Sequence, residues 1–182
     1  MYNLSTPYLY PYFIDARMYT PYLCDLADTT PIYNWDLERA PIELKDYGKQ
    51  PYVVDINEAT KQNNNFRTAL WTGTHLQVTL MSINVGDDIG LESHPNVDQF
   101  LRIEEGEGLV RMGMRKDNLN FERRVSDDYA IMIPAGTWHN VINTGNTPLK
   151  LYSIYAPPEH PFGTVHKTKA DSEAAEHGHR YY

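Results

Sequence analysis

Four polar residues in the second half of the chain have the types and the spacing of a metal site. Glu92 and His94 are two positions apart, so on a strand both side chains leave by the same face. Gln99 follows after a bridge rich in turn-forming residues, and His139 follows a Pro-Ala-Gly turn. Carboxylate, imidazole and amide groups all offer lone pairs to a cation. The pattern therefore predicts one mononuclear metal site with Glu92, His94, Gln99 and His139 as its ligands.

One of these ligand positions has two candidates that are adjacent in the sequence. Asp98 carries a carboxylate and is the better metal ligand in isolation. Gln99 alternates in step with Leu101 and Ile103, which places it on the apolar inner face of its strand. The alternation favours Gln99 as the ligand, and Asp98 remains the alternative.

The donor set also favours particular metals. Two imidazole nitrogens and two oxygens form a hard set, which favours Mn²⁺ or Fe²⁺ and argues against copper. Zn²⁺ and Ni²⁺ are also compatible with four such ligands. The expected cofactor is therefore one divalent metal ion. The alternative is a barrel interior whose polar residues are satisfied by hydrogen bonds and water.

Two further residues are candidates for proton transfer. His75 lies on a long predicted strand before the metal motif, and a histidine has a free pKa near neutral, as a general base requires. Tyr155 ends the last predicted strand, where it is a candidate for donating a proton or orienting a substrate. A structural role is the alternative for each of them.

Short segments with a period of two residues dominate the chain from Phe66 onward and must position these side chains. The predicted strands are residues 66–71, 73–85, 89–94, 99–105, 109–115, 119–125, 129–133, 138–143 and 149–155. Nine such strands without a strong helix between them favour an all-β, double-sheet jelly roll over βαβ units.

Shorter elements are predicted on both sides of these strands. Residues 51–54 read as a short strand and residues 55–60 as a capped helical turn. A short C-terminal helix is predicted to start near Thr168 or Asp171 and to end at Gly178.

The two polar stretches resemble the two signature motifs of the cupin superfamily. The first motif is matched by Gly86, five residues, Glu92-Ser93-His94, four residues, Gln99, six residues and Gly106. The second is matched by Pro134, Gly136, His139 and Asn143. The resemblance covers residues 66–156. It implies a double-stranded β-helix, the cupin-like jelly-roll barrel, with open coordination positions facing the mouth of the barrel.

Three positions depart from the family's motifs. Glu92 stands where the family has its first histidine, and Gln99 stands where it has its glutamate. The exchange moves the carboxylate to another strand but keeps one formal negative charge among the four ligands. Asp128 stands where a glycine usually precedes the second motif by six residues.

Single-domain bacterial proteins similar to this chain are often grouped with mannose-6-phosphate isomerase-like cupins.

Composition excludes several classes of function. A formal net charge of −8 over 182 residues argues against a nucleic-acid partner, which needs a basic face. A single cysteine, Cys24, excludes an internal disulfide and suits a reducing compartment. Neither a signal peptide nor a transmembrane segment is expected from the hydropathy pattern. The expected location is the cytoplasm, with neither nucleic acid nor membrane as partner.

The predicted organisation is a barrel with two extensions. Residues 1–50 form an N-terminal arm rich in Tyr and Pro, residues 51–158 the cupin-like barrel, and residues 159–182 a C-terminal tail with the short helix. The arm holds six Tyr in its first twenty-two residues, which favours packing on a surface. Because jelly-roll edges need covering, a homodimer is the expected state.

Three functions are compatible with this sequence. The leading one is a metalloenzyme, of isomerase or dioxygenase type, that acts on a small polar chelating substrate such as a sugar, hydroxy acid or keto acid. The second is a non-catalytic, metal-dependent module that binds a small molecule. The third is a structural or coat-type protein that uses the Tyr-rich arm.

Overall fold

The structure is a computed structural model that describes residues 40–178. Two helices, α1 (Ile56–Gln62) and α2 (Lys169–Gly178), flank its strands. The strands are β1 (Arg67–Thr72), β2 (Gln77–Ile83), β3 (Asp98–Glu105), β4 (Glu107–Gly113), β5 (Phe121–Ser126), β6 (Ala130–Ile133), β7 (Trp138–Asn143), β8 (Leu149–Ala156) and β9 (Val165–His166). The predicted all-β jelly-roll class is confirmed.

The strands form two antiparallel sheets. The larger sheet has the order β6-β3-β8-β2-β1-β9, and the smaller has the order β5-β4-β7. The chain enters the smaller sheet directly from β3 through Gly106, which has φ of +94°. A Cβ at this position would lie only 3.1 Å from the carbonyl oxygen of Pro148. A residue with a side chain is strained in that conformation, so glycine suits this crossing between sheets.

Apolar side chains from both sheets form the central core. Its buried members are Phe66, Met81, Ile83, Ile89, Leu101, Ile103, Val110, Val125, Ile131, Ile133, Val141, Leu149 and Leu151. Each fully buried Leu or Ile stabilises the fold by about 1.5–3 kcal/mol relative to exposure. This core fixes the larger sheet against the smaller one.

The other face of the larger sheet is also covered. Leu70 and Leu80 pack there with Ala59 of α1 and with partly buried residues of segment 42–56. Asp55 caps α1 by accepting a hydrogen bond from the backbone N–H of Glu58, as the predicted capped turn requires. Burial of both faces explains why β2 is buried at almost every position rather than at alternate ones.

Inward-facing residues change from apolar to polar along the barrel. Across β3, β8 and β2, the aligned row toward one end consists of Ile103, Leu151 and Met81. Toward the other end, the aligned row consists of Gln99, Tyr155 and Gln77, all buried. Buried polar groups destabilise a fold unless they are paired. The polar end of the barrel is therefore where a site must be sought.

Three strand predictions need correction. Residues 89–94 form a single isolated bridge, at Glu92, because Asp88 accepts a hydrogen bond from the backbone of Gly90, whose φ of +93° breaks the extended chain. Residues 51–54 pack against α1 without joining a sheet. The predicted strand at 73–85 begins only at Gln77, and the two-residue strand β9 was not predicted.

The departure at Asp128 has a simple structural basis. Asp128 adopts φ of +70°, the left-handed conformation that glycine usually supplies. Aspartate tolerates this region better than most residues with side chains, and here its carboxylate also accepts a hydrogen bond from Arg102.

The predictions on the Tyr-rich arm up to residue 39 lie outside the described residues. None of the described helices is long and apolar enough to cross a membrane.

Candidate metal centre

Backbone pairing brings the two halves of the site together. Glu92 and His139 form an isolated antiparallel bridge, with N–H to O distances of 3.1 Å and 2.9 Å. Two residues further on, the carbonyl of His94 accepts a hydrogen bond of 2.8 Å from Gly136. These bonds attach the irregular segment that carries Glu92 and His94 to the start of β7. Segments that are 45 residues apart in the chain thus place their side chains side by side.

Three donor atoms converge between these segments. Glu92 Oε1 lies 3.5 Å from His94 Nε2 and 3.3 Å from His139 Nε2. One ligand atom from each residue lies within 4.8 Å of the other two. Ligand atoms that each lie about 2.1 Å from a tetrahedral ion are roughly 3.4 Å apart. The observed separations fit a single cation at the centre of the three residues.

The hydrogen bond of His139 fixes which ring nitrogen faces this point. Nδ1 of His139 lies 2.9 Å from the carbonyl oxygen of Thr137, which can only accept, so Nδ1 carries the hydrogen. In the neutral ring, Nε2 therefore presents a lone pair toward Glu92. A lone pair that faces a carboxylate needs a proton or a cation between them. His139 is fully buried, and its Nε2 has no hydrogen-bond partner among the described residues.

His94 repeats this arrangement with a side-chain acceptor. Its Nδ1 lies 3.1 Å from Oε1 of Glu159, and its Nε2 points to Glu92. Burial opposes the charged imidazole, but the carboxylates of Glu159 and Glu92 on either side of the ring outweigh this and raise the pKa of His94 to about 9. In the absence of a cation, the imidazole of His94 is therefore protonated at neutral pH.

Glu92 supplies the negative charge of the cluster. Burial favours its neutral form, but the adjacent imidazoles of His139 and His94 and the nearby charge of Arg67 hold its pKa well below the usual range. Glu92 is thus a carboxylate at neutral pH. An anion and two oriented imidazole lone pairs form a donor set that suits a divalent metal.

The structure distinguishes Gln99 from Asp98 by their directions. Gln99 is only 3% exposed, donates its Nε2–H to Ser153 Oγ at 3.0 Å, and has no partner for Oε1 among the described residues. Asp98 is exposed and accepts a hydrogen bond of 2.9 Å from the backbone of Ala135. Asp98 therefore supports the turn before β7, and Gln99 brings a free oxygen to the polar end of the barrel.

The two proton-transfer candidates lie in different places. The ring of Tyr155 is fully buried at 5.8 Å from the ring of His94, and its hydroxyl has no hydrogen-bond partner within the described residues. His75 is exposed in the turn between β1 and β2, so its predicted placement on a strand is wrong. The structure brings Tyr155 to the cluster and does not bring His75 there.

A pocket of about 660 Å³ opens on this cluster. Glu92 and His94 line it together with Trp138 and the segment at residues 159–166. Lys116 also lines it, with its ammonium group 5.4 Å from the centre of the Trp138 ring. The pocket has the size of a small-molecule site.

Sequence reasoning missed the segment that follows β8. Glu159 contacts His94, and the backbone of His160 forms two hydrogen bonds of 2.9 Å with the side chain of Gln77. Burial and the nearby charge of Arg67 lower the pKa of His160 to about 2, which leaves its imidazole neutral. Glu159 lies 65 positions from His94 and outside any recognisable motif. No local pattern could have identified it.

Comparison with known proteins identifies the family. Residues 79–155 match a family model described as a cupin domain. The chain is 77% identical over 133 residues to a Bacillus subtilis protein described as the uncharacterized protein YrkC, which covers 73% of this chain and 72% of that one. The chain is also 71% identical in sequence to BH2720 from Bacillus halodurans, and comparison with the crystal structure of that protein gives a TM-score of 0.71. The match covers 71% of this chain and 98% of that one. The chain belongs to the cupin superfamily.

A more distant relative occurs in a virus. An uncharacterized protein of Acanthamoeba polyphaga mimivirus is 43% identical over 117 residues, which cover 64% of this chain and 71% of that one. The cupin domain match ends at residue 155, so Glu159 and His160 lie beyond it. This cupin thus completes its pocket with a segment that follows the matched domain.

Proposed function

We propose that this cupin binds one divalent metal ion through Glu92, His94, Gln99 and His139, and that it is a metalloenzyme for a small polar chelating substrate. A sugar, a hydroxy acid or a keto acid is the expected class of substrate, with chemistry of the isomerase or dioxygenase type. Mn²⁺ or Fe²⁺ is the expected metal because two of the four donors are oxygens. Zn²⁺ and Ni²⁺ are the alternatives.

One observation carries this proposal. Four buried atoms, namely Glu92 Oε1, His94 Nε2, Gln99 Oε1 and His139 Nε2, lack hydrogen-bond partners among the described residues. Folded proteins rarely leave buried polar atoms unpaired. Two of these atoms belong to imidazoles whose other nitrogen is already oriented by an oxygen acceptor. This arrangement is typical of histidines that bind metals.

The chain's own residues suggest how a substrate would be handled. A bound divalent ion would act as a Lewis acid and as a template for a chelating substrate. The pocket gives such a molecule access to Glu92 and His94, while Trp138 and residues 159–166 surround it. We propose Tyr155 as the residue that donates or holds a proton, since its unpaired hydroxyl belongs to a ring adjacent to His94.

Metal content tests the proposal directly. We expect untagged protein to carry about one equivalent of Mn, Fe, Zn or Ni by elemental mass spectrometry. The double variant with Glu92→Ala and His139→Ala should carry none, because two of the four donors are removed. Asp98→Asn is a matched control, since this exposed side chain can still accept the hydrogen bond from Ala135. Absence of metal from the wild type, even after each ion is supplied, would overturn the proposal.

A non-catalytic binding module is the second candidate. The same donor set and pocket serve a protein that binds a metal and a small molecule without turnover. The two functions differ in product formation: an enzyme releases a changed molecule, whereas a binding module releases the molecule unchanged. His139→Ala should abolish turnover in the first case, and it should abolish only binding in the second.

The finer assignments stay proposals. We propose a homodimer in the cytoplasm, to be measured by light scattering on the full chain, because exposed sheet edges need covering. Grouping with mannose-6-phosphate isomerase-like cupins stays a prediction. A structural role of the Tyr-rich arm also stays a prediction. Deleting residues 1–34 tests that role, because an enzyme that uses the arm only for assembly would keep its activity.

A further inference from the structure

The carboxylate of Glu159 has a specific relation to the candidate metal centre. Its Oε1 lies 3.1 Å from His94 Nδ1, on the side of the ring opposite Glu92. A carboxylate can only accept a hydrogen bond, so this contact places the ring hydrogen on Nδ1. The lone pair of His94 Nε2 is then directed at the point where Glu92 and His139 converge. Thr137 has the equivalent relation to His139 through its backbone carbonyl.

The segment that carries Glu159 is itself held in place. Glu159 precedes His160, whose backbone N–H and carbonyl both pair with the buried side chain of Gln77 at 2.9 Å. The His160 ring also packs against the edge of Tyr155, with ring centres 5.0 Å apart. Two contacts from the barrel interior therefore fix the backbone next to Glu159. An acceptor held in this way can orient an imidazole rather than merely follow it.

We propose that Glu159 is a positioning residue for the metal centre, which sets the orientation and the tautomer of His94 from outside the matched cupin domain. The inference rests on the proposed metal-binding function and deepens it. Glu159 is not one of the three clustered donors, so its contribution is made through His94. Loss of such an outer partner typically weakens metal binding 10–100-fold.

The test is Mn²⁺ affinity of the full chain, measured by competition with a fluorescent chelator. We expect Glu159→Ala to weaken Mn²⁺ binding about 10–100-fold. Glu159→Gln should restore most of this loss, because its amide oxygen still accepts from His94 Nδ1. Glu173→Ala is the matched control: it removes the same charge from an exposed site on α2 and should leave the affinity unchanged. Thermal unfolding of the metal-free variants checks that each is folded.

A spectroscopic measurement separates positioning from direct ligation. The absorption spectrum of Co²⁺ reports coordination, and we expect saturated Glu159→Ala to give the wild-type spectrum. A changed spectrum would make Glu159 a ligand and would overturn the inference. So would an unchanged Mn²⁺ affinity in Glu159→Ala, or a loss that Glu159→Gln does not restore. A wild-type protein that binds no metal would instead overturn the proposed function, and the inference with it.

Discussion

The amide of Gln99 brings an oxygen rather than a charge to the proposed site. Its Nε2 donates a hydrogen bond to Ser153, which leaves Oε1 as the atom available to bind a metal. Gln99→Leu removes this oxygen while keeping a side chain of similar length. We expect Mn²⁺ affinity to fall at least about tenfold, since losing even an outer contact to a ligand has such an effect. Titration of metal-free protein with Mn²⁺ measures it.

The neighbouring residue provides the control for this variant. Asp98→Asn removes a charge one position away, but its amide oxygen still accepts from Ala135. We expect its Mn²⁺ affinity to match the wild type. If Asp98→Asn weakens Mn²⁺ binding and Gln99→Leu does not, Asp98 is the ligand, and the inward-facing Gln99 does not bind the metal.

At the level of single residues, sequence patterns located the cluster but not its support. Glu92, His94 and His139 could be grouped because each lies in a motif with fixed spacing. The structure places all three around one point. Glu159 and Gln77 could not be found in this way. Their contacts depend on where the chain returns after β8, which no local period encodes.

Among the elements, the segment after β8 depends on the side chain of Gln77. Gln77→Leu would leave the backbone N–H and carbonyl of His160 without these partners. Because Gln77 is fully buried, we expect the free energy of unfolding to fall by about 1–3 kcal/mol. Urea denaturation measures the change. Gln50→Leu, at an exposed glutamine, should change it by less than about 0.5 kcal/mol.

An unchanged stability of Gln77→Leu would contradict this role of the side chain. The variant also tests whether Gln77 supports Glu159, because loss of the two hydrogen bonds to His160 loosens the backbone next to Glu159. We therefore expect weaker Mn²⁺ binding in Gln77→Leu than in Gln50→Leu. A variant that loses stability but keeps wild-type affinity would show that Glu159 is held independently of Gln77.

Element predictions succeeded where one rule decided the structure. The span of β7 was predicted without error, and most other strands within a few residues, because inward and outward positions alternate regularly. The prediction failed at residues 89–94, where Asp88 and Gly90 form a local turn that alternation does not register. It also missed β9, whose two residues are too short for any period to be visible.

For the whole molecule, the protonation of His94 links folding to pH. In the metal-free protein its pKa is raised to about 9, above the ordinary value of 6.5. A group whose pKa is higher in the folded than in the unfolded protein stabilises the fold fully at pH values below its unfolded-state pKa. This stabilisation is lost as pH rises through its folded-state pKa. Glu92 has a lowered pKa, so its contribution is lost only in acid. Between pH 6.5 and 9, the contribution of His94 is the one that declines.

We therefore expect the metal-free protein to become less stable from pH 6.5 to 9, by up to about 3 kcal/mol. Urea denaturation in the presence of a chelator measures this. His94→Gln, which cannot titrate, is the control and should lack this decline. A divalent metal reverses the trend, because it needs the unprotonated lone pair and binds more tightly as pH rises. Equal pH dependence in the wild type and in His94→Gln would mean that the carboxylates do not hold a proton on His94, and the electrostatic account of the cluster would fail.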